Sequence, residues 1–205
     1  MPRSEVPDVV VRRLPTYLMA LERMLARGEE VVSSAELGKV TGMSAAQIRK
    51  DLSYFGEFGR QGLGYEVEFL RDQLKRILQV DREWHIVVVG AGALGRALVH
   101  YREFTRRGLN IVAVFDNDPG KVGLPLGGLI IQPMCELETT IRRRHIEIAI
   151  IAVPPDAAQA VADELALAGI TAMLNYAPAT LRLDSDIHVA QIDPVASLQS
   201  ITYYL

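Results

Sequence analysis

Only one cysteine, Cys135, occurs in 205 residues. No internal disulfide can form, and no cysteine-based metal cluster. Long apolar runs are missing too. The longest, such as Ile86 to Val89 and Ile148 to Val153, fall well short of the roughly 20 residues that span a bilayer. The N-terminus, Met1-Pro2-Arg3-Ser4-Glu5, leads into no signal-like apolar stretch with a small-residue cleavage site. A cytoplasmic protein with no membrane and no metal partner is expected. An excess of one charge is also absent. With 22 Lys+Arg against 25 Asp+Glu the net charge is −3, which gives no whole-chain sign of nucleic-acid binding. An average can still hide a local basic face. There is no internal repeat and no low-complexity tract. What is present, 49% hydrophobic and 23% charged residues, can bury a core, and the length suits one large domain or two small ones.

The pattern changes near residue 82. Before it, apolar residues recur with helical spacing, at Leu14, Leu18, Leu21 and Leu25 and again at Leu70, Leu74, Ile77 and Leu78. After it, short β-branched runs alternate with helical stretches. Strands are predicted at 85–89, 110–115, 147–153 and 171–174, and helices at 93–107 and 156–168. Strand–helix–strand order with continuous apolar strands implies a parallel sheet covered on both faces. The boundary is expected at Gln79 to Glu83. The segment 193–205 is a final amphipathic helix ending in Tyr203-Tyr204-Leu205, aromatics that need a cover on this chain or on a partner subunit.

Two capping boxes lie close together in the first half. Ser33 is followed three residues later by Glu36, and Ser44 by Gln47. Gly42 between them suits a left-handed helix end. The result is helix 34–40, a turn and helix 44–54, the outline of a helix-turn-helix. In the second helix Ala45, Ile48, Leu52 and Phe55 share the core side. The opposite side carries Ala46, Lys50, Ser53 and Tyr54, flanked by Gln47 and Arg49. Gln can pair with adenine in the major groove, and Arg and Lys can reach guanine or phosphate. An ordinary solvated helix would carry similar residues. The next stretch adds weight: Gly56-Glu57-Phe58-Gly59-Arg60-Gln61-Gly62-Leu63-Gly64-Tyr65 packs glycines around Arg60 and Gln61. A hairpin after a reading helix is a wing, and an Arg at its tip can enter the minor groove.

In the second half, Gly90-Ala91-Gly92-Ala93-Leu94-Gly95 is a complete G-x-G-x-x-G between a predicted strand and a predicted helix. Gly90 permits the turn, Gly92 lets a pyrophosphate approach, and Gly95 lets helix and strand pack closely. Asp116, 21 residues after Gly95 at the end of the next strand, can accept hydrogen bonds from the adenosine ribose hydroxyls. No Arg stands at 117 or 118, so NAD and NADH are favoured over their 2′-phosphorylated forms. Val153 and Pro154, and Asn175 with Tyr176, follow later strands at the edge where ligands bind in such sheets; each stretch is equally a structural loop. The histidines His85, His100, His145 and His188 sit in no constellation resembling a proton relay. Arg142 to Arg144 reads as a solvated helix end, and Cys135 as a small buried hydrophobe.

With both halves in hand, the sequence resembles the Rex family of redox-sensing transcriptional repressors over essentially its whole length. The most specific pieces are Arg49-Lys50-Asp51-Leu52-Ser53-Tyr54-Phe55-Gly56, Gly59 to Tyr65, Phe115-Asp116-Asn117-Asp118-Pro119 with Lys121-Val122-Gly123, Leu174-Asn175-Tyr176-Ala177-Pro178, and Leu198-Gln199-Ser200. The resemblance implies a homodimer on double-stranded operator DNA. It implies an α/β chain with a winged-helix domain over 1–82 (helix-turn-helix 34–54, wing 57–65). A doubly wound Rossmann domain for NAD and NADH would cover 83–191, and a terminal helix, 192–205, would swap between subunits. It further implies repression of respiratory or fermentative genes, relieved when NADH replaces NAD. Tyr101 matches a family tyrosine that contacts the nicotinamide and a partner-side acid, and Asp193 matches that acid. Two positions depart from the family. Met19 stands where an Arg that pairs with the acid is usual, with Arg23 one turn along, and Pro194 stands where Leu or Phe is usual. Two other readings are weighed against a repressor: a small NAD-dependent oxidoreductase with an N-terminal oligomerisation domain, and a DNA-binding protein with a vestigial nucleotide fold.

Overall fold

A computed structural model of the chain describes residues 6–60, 62–184 and 186–205, with the backbone alone of Arg60. Gln61 of the expected wing lies outside the described residues. The chain divides between Arg82 and Glu83 into two compact units.

The first unit is helical with a small sheet. Helices α1 (Asp8–Val11) and α2 (Leu14–Ala26) precede strand β1 (Val31–Val32), α3 (Ser34–Thr41), α4 (Ala45–Ser53), the hairpin of β2 (Gly59–Arg60) and β3 (Gly64–Glu66), and α5 (Val67–Leu78). Apolar side chains at helical spacing on α2, including Leu14, Leu18 and Leu21, are buried against Val67, Leu70 and Leu74 of α5 and Ile48 and Leu52 of α4. A side chain of that size stabilises the fold by about 1.5–3 kcal/mol when fully buried. At the start of α3 the Ser33 hydroxyl accepts from the Glu36 N–H while the Glu36 carboxylate accepts from the Ser33 N–H. At α4 only half of the expected box exists: Ser44 accepts from the Gln47 N–H, but the Gln47 side chain turns elsewhere. Gly42, left-handed at φ 73°, closes α3 and makes the turn. The three strands pair antiparallel in the order β1-β3-β2. This is a winged helix.

The second unit is a Rossmann-like sheet with helices on both faces. Its elements are β4 (Trp84–Val89), α6 (Ala93–Val99), α7 (Glu103–Arg106), β5 (Leu109–Asp116), β6 (Pro125–Leu126), β7 (Leu129–Pro133), α8 (Leu137–Arg144), β8 (Ile148–Ile151), α9 (Pro155–Ala168), β9 (Ala172–Asn175), β10 (His188–Gln191) and α10 (Pro194–Thr202). The strand order is β10-β9-β8-β4-β5-β7-β6, parallel throughout except for β6 on β7. Alternation along each strand separates the two cores. Val87, Val89, Ala113, Phe115, Ala149 and Ile151 pack with Leu137, Ile141, Val161 and Leu165 from α8 and α9. Ile86, Val88, Val114 and Ile150 pack with Leu98 and Leu126.

Three local expectations are corrected. The helix predicted over 93–107 is two helices. The first stops at Val99, where the Tyr101 N–H bonds the Leu98 carbonyl at 3.0 Å, a tightened turn that the apolar spacing does not reveal. Strands β6 and β7 were missed; they are short, and Pro125 and Gly127-Gly128 interrupt their pattern. Cys135 is exposed rather than buried, because it falls in a single 3₁₀ turn (Met134–Glu136) at the mouth of α8.

Candidate functional site

The glycine-rich loop sits at the carboxyl end of β4, between β5 and β8, where the crossovers diverge to opposite sides of the sheet. Gly90 has φ 105°, and a Cβ there would strike the Ala152 carbonyl oxygen. A Cβ on Gly95 would overlap the Gly90 carbonyl oxygen, so the first turn of α6 lies against the loop itself. At Gly92 the situation is opposite: φ is ordinary, and a Cβ would meet nothing within 4 Å. Gly92 is also the N-cap of α6, and among the described residues no side chain caps that terminus. The first-turn N–H groups and the open space at Gly92 leave room for an anionic group to approach this helix start. Arg96 braces the loop by donating from Nε to the Ala91 carbonyl at 3.1 Å.

Asp116 is nearly fully buried at the end of β5. Its Oδ2 accepts from the Ala91 N–H at 2.7 Å and from Lys121 Nζ at 3.1 Å, and its Oδ1 accepts from the Asp118 N–H at 2.9 Å. Burial alone would raise its pKa. The Asp118 and Ala91 amides and the Lys121 ammonium outweigh burial and hold it below the usual carboxylate range. The carboxylate therefore ties β5 to the glycine loop before any ribose arrives. That brace, and Lys121 within it, went unread in the sequence. The signal was the Asp-x-Asp-x-x-Lys spacing across a turn.

Val153 and Pro154 lie beside the loop, with Val153 Cγ1 3.1 Å from where a Gly90 Cβ would be. Asn175 is different. It is fully buried, donates to the Ala179 carbonyl and to Gln191 Oε1, and accepts from the Ala177 N–H. Its side chain shapes the turn after β9 and is not presented to solvent. Tyr101 is 56% exposed and stands edge-to-face with Phe104. Burial, with a smaller contribution from nearby Tyr101, raises the Tyr176 pKa. Asp193 caps α10, accepting from the Val195 and Ala196 N–H groups. Among the described residues, no hydrogen bond joins it to Tyr101. Met19 is half-buried on α2, and Arg23 is exposed. All four histidines are exposed. Among the described residues, no group of three or more His, Cys, Asp or Glu is placed to hold a metal ion, and no helix is long and apolar enough to cross a membrane.

In the first unit, Arg49 and Lys50 are exposed on α4. Arg49 Nη1 donates to Ser34 Oγ at 2.9 Å, and Ser53 Oγ donates to the Lys50 carbonyl. Tyr54 is half-buried at the helix end. Gln47 points its amide at Asp51, with Nε2 to Oδ1 2.6 Å. An open cleft of about 930 Å³ separates α4 from the hairpin and is lined by Ser34, Arg49, Ser53 and the glycines of 56–64. The structure thus brings Arg49 and Ser53 to one groove beside the wing.

Comparison with known proteins agrees with this division. Residues 81–179 match a family model described as "CoA binding domain", and residues 5–53 match one described as "Putative DNA-binding protein N-terminus". The chain is 52% identical over 206 residues to a redox-sensing transcriptional repressor Rex of Chloroflexus aurantiacus, covering 100% of this chain and 97% of that one. Among solved structures it resembles RSP in complex with β-NAD+ and operator DNA, with 38% identity, a TM-score of 0.92, and coverage of 97% of this chain and 92% of that one. It also resembles RSP in complex with β-NADH, with 36% identity, a TM-score of 0.88, and coverage of 98% and 94%.

Proposed function

This chain belongs to the Rex family of redox-sensing transcriptional repressors, and from that premise we propose that it represses transcription in the cytoplasm by binding operator DNA as a homodimer and releasing it when NADH replaces NAD. One observation carries the reading: an uncapped, glycine-opened helix start for a dinucleotide lies in the same chain as a winged helix. The relatives solved with β-NAD+ and operator DNA, and with β-NADH, support it.

In this reading two copies of α4 enter successive major grooves of a palindromic operator, roughly 34 Å apart. Gln47, Arg49, Lys50, Ser53 and Tyr54 meet bases and phosphates, and the hairpin with Arg60 and Gln61 lies along the minor groove. NAD or NADH rests on the loop from Gly90 through Ala91, Gly92, Ala93 and Leu94 to Gly95, with Asp116 at the ribose. Val153, Pro154 and Tyr101 face the nicotinamide side, and Asn175 acts by holding the adjoining turn. The dinucleotide is an effector and not a substrate. Tyr101 of one subunit and Asp193 of the other form the contact that distinguishes the two redox states.

Helix α10 supplies the link between subunits. None of its residues is buried, and Leu198 is 63% exposed. An amphipathic helix with its apolar side in water needs a cover, and a swap with a second copy provides one. The relatives favour the repressor reading over the oxidoreductase alternative: the full-length relative is named as a repressor. Linkage requires that operator DNA weaken NADH binding by the factor with which NADH weakens DNA binding. Operator affinity measured with NAD, with NADH and with neither, at fixed salt, tests the proposal. An identical Kd in all three conditions would overturn it.

A further inference from the structure

The reading helix carries a buried charge that neither its capping nor its packing requires. Asp51 on α4 is completely buried. Arg13, between α1 and α2, donates two parallel bonds to it, Nε to Oδ2 at 2.6 Å and Nη2 to Oδ1 at 2.7 Å. The Tyr17 hydroxyl on α2, itself buried, donates to Oδ2 at 2.7 Å. Gln47 Nε2, one turn before Asp51, donates to Oδ1 at 2.6 Å. Each carboxylate oxygen therefore has two donors, and the carboxylate is saturated. Burial would push the Asp51 pKa up, but Arg13, Tyr17 and Gln47 together hold it below its ordinary value, so it stays charged.

Such a network is a poor way to glue helices together, since well-packed apolar side chains of similar volume often do so equally well or better. What apolar side chains cannot do is orient an amide. With the carboxylate charged, only the NH2 end of Gln47 can face it, because the flipped amide would set oxygen against oxygen. One Nε2–H is held by Asp51. The other Nε2–H and Oε1 remain, one donor and one acceptor. That pair complements the N7 acceptor and N6 donor of adenine in the major groove, whereas guanine offers two acceptors. Gln47 sits in the first turn of α4, the end of a helix-turn-helix reading helix that contacts base edges.

We propose that Gln47 reads an adenine in each half-site, and that Arg13, Tyr17 and Asp51 are positioning residues that fix which way its amide points. This rests on the operator-binding function proposed above. The test uses full-length protein and a palindromic operator selected in vitro with it. Each half-site adenine is replaced in turn by 7-deazaadenine, which removes the N7 acceptor and preserves base pairing. Wild type should lose between about 5-fold and 150-fold in affinity at one adenine per half-site. Gln47→Ala should bind the unmodified operator correspondingly more weakly and become indifferent to 7-deazaadenine at that position. Tyr17→Phe, which removes one donor and keeps the ring, should retain part of the discrimination while binding NADH as wild type does. Full discrimination in Gln47→Ala, or in Tyr17→Phe alongside a lowered melting temperature, would overturn the inference and reduce the network to a stabilising ion pair. Wild type that binds no DNA at all would instead overturn the operator-binding function on which the inference stands.

Discussion

Replacing Gly92 with alanine should blind the protein to its dinucleotide while leaving its fold intact. The reason is the space around the residue. A Cβ at Gly92 meets no atom within 4 Å, and φ −75°, ψ −168° suits any L-residue. Alanine at an N-cap is worse than glycine by roughly 0.5–1 kcal/mol, and the stiffer unfolded chain returns roughly 0.4–1 kcal/mol. The two nearly cancel, so the melting temperature should move by no more than a degree or two. In the proposed complex the empty space is where a pyrophosphate approaches the backbone, and forcing a methyl into such a contact costs about 1–3 kcal/mol, or ~5-fold to 150-fold in affinity. Gly95→Ala provides the contrast. Its Cβ would overlap the Gly90 carbonyl oxygen, so the backbone must shift, and at about 2–4 °C per kcal/mol the melting temperature should fall by several degrees. The assays are thermal unfolding, titration of NADH followed by energy transfer from the single tryptophan, Trp84, and operator binding with and without NADH. Gly92→Ala should hold operator DNA at NADH concentrations that release the wild type. Wild-type NADH affinity in a well-folded Gly92→Ala would refute the placement of the ligand on this loop.

Asp116→Asn replaces a carboxylate that serves three donors with an amide that brings donors of its own, and it should lower stability by about 1–3 kcal/mol as well as weaken NADH binding. Because the Asp116 pKa is held low in the folded protein, its contribution is present above the unfolded value near about 4 and is lost as pH falls through the folded value. The gap in melting temperature between wild type and variant should therefore be constant near neutral pH and close in acid. Lys50→Ala removes one phosphate contact from each subunit of the proposed dimer, so it should reduce the slope of log affinity against log salt by about 2 and weaken binding to all sequences alike. An unchanged slope would remove Lys50 from the phosphate contacts. Leu198→Glu puts a charge on the exposed face of α10 and should shift the proposed dimer toward monomer in sedimentation, since each buried Leu is worth about 1.5–3 kcal/mol and in that dimer the face would be used twice.

The glycine loop was legible because its requirements are local: a turn with positive φ, a close approach and a helix start follow one another within six positions. The capping box at Ser33 was legible for the same reason. At Ser44 the same spacing misled. Gln47 had two possible partners, its own N-cap backbone and Asp51 one turn on, and the charged partner won because Arg13 and Tyr17, 38 and 34 residues away in sequence, had already made Asp51 a buried anion. The break between α6 and α7 was hidden because apolar residues continue at helical spacing through it.

Period-3.6 and period-2 hydrophobicity, two glycine motifs and two helix starts were enough, from the chain alone, to give a winged helix followed by a doubly wound sheet with a glycine-rich turn after its first strand. Each of these is set by neighbours a few residues apart. The tertiary structure decided which polar atoms are already taken. Asp116 is bound to Ala91 and Lys121, Asn175 to Gln191, and Gln47 to Asp51. Those bonds depend on which strands and helices end side by side, and a buried polar group must find a partner wherever the fold supplies one.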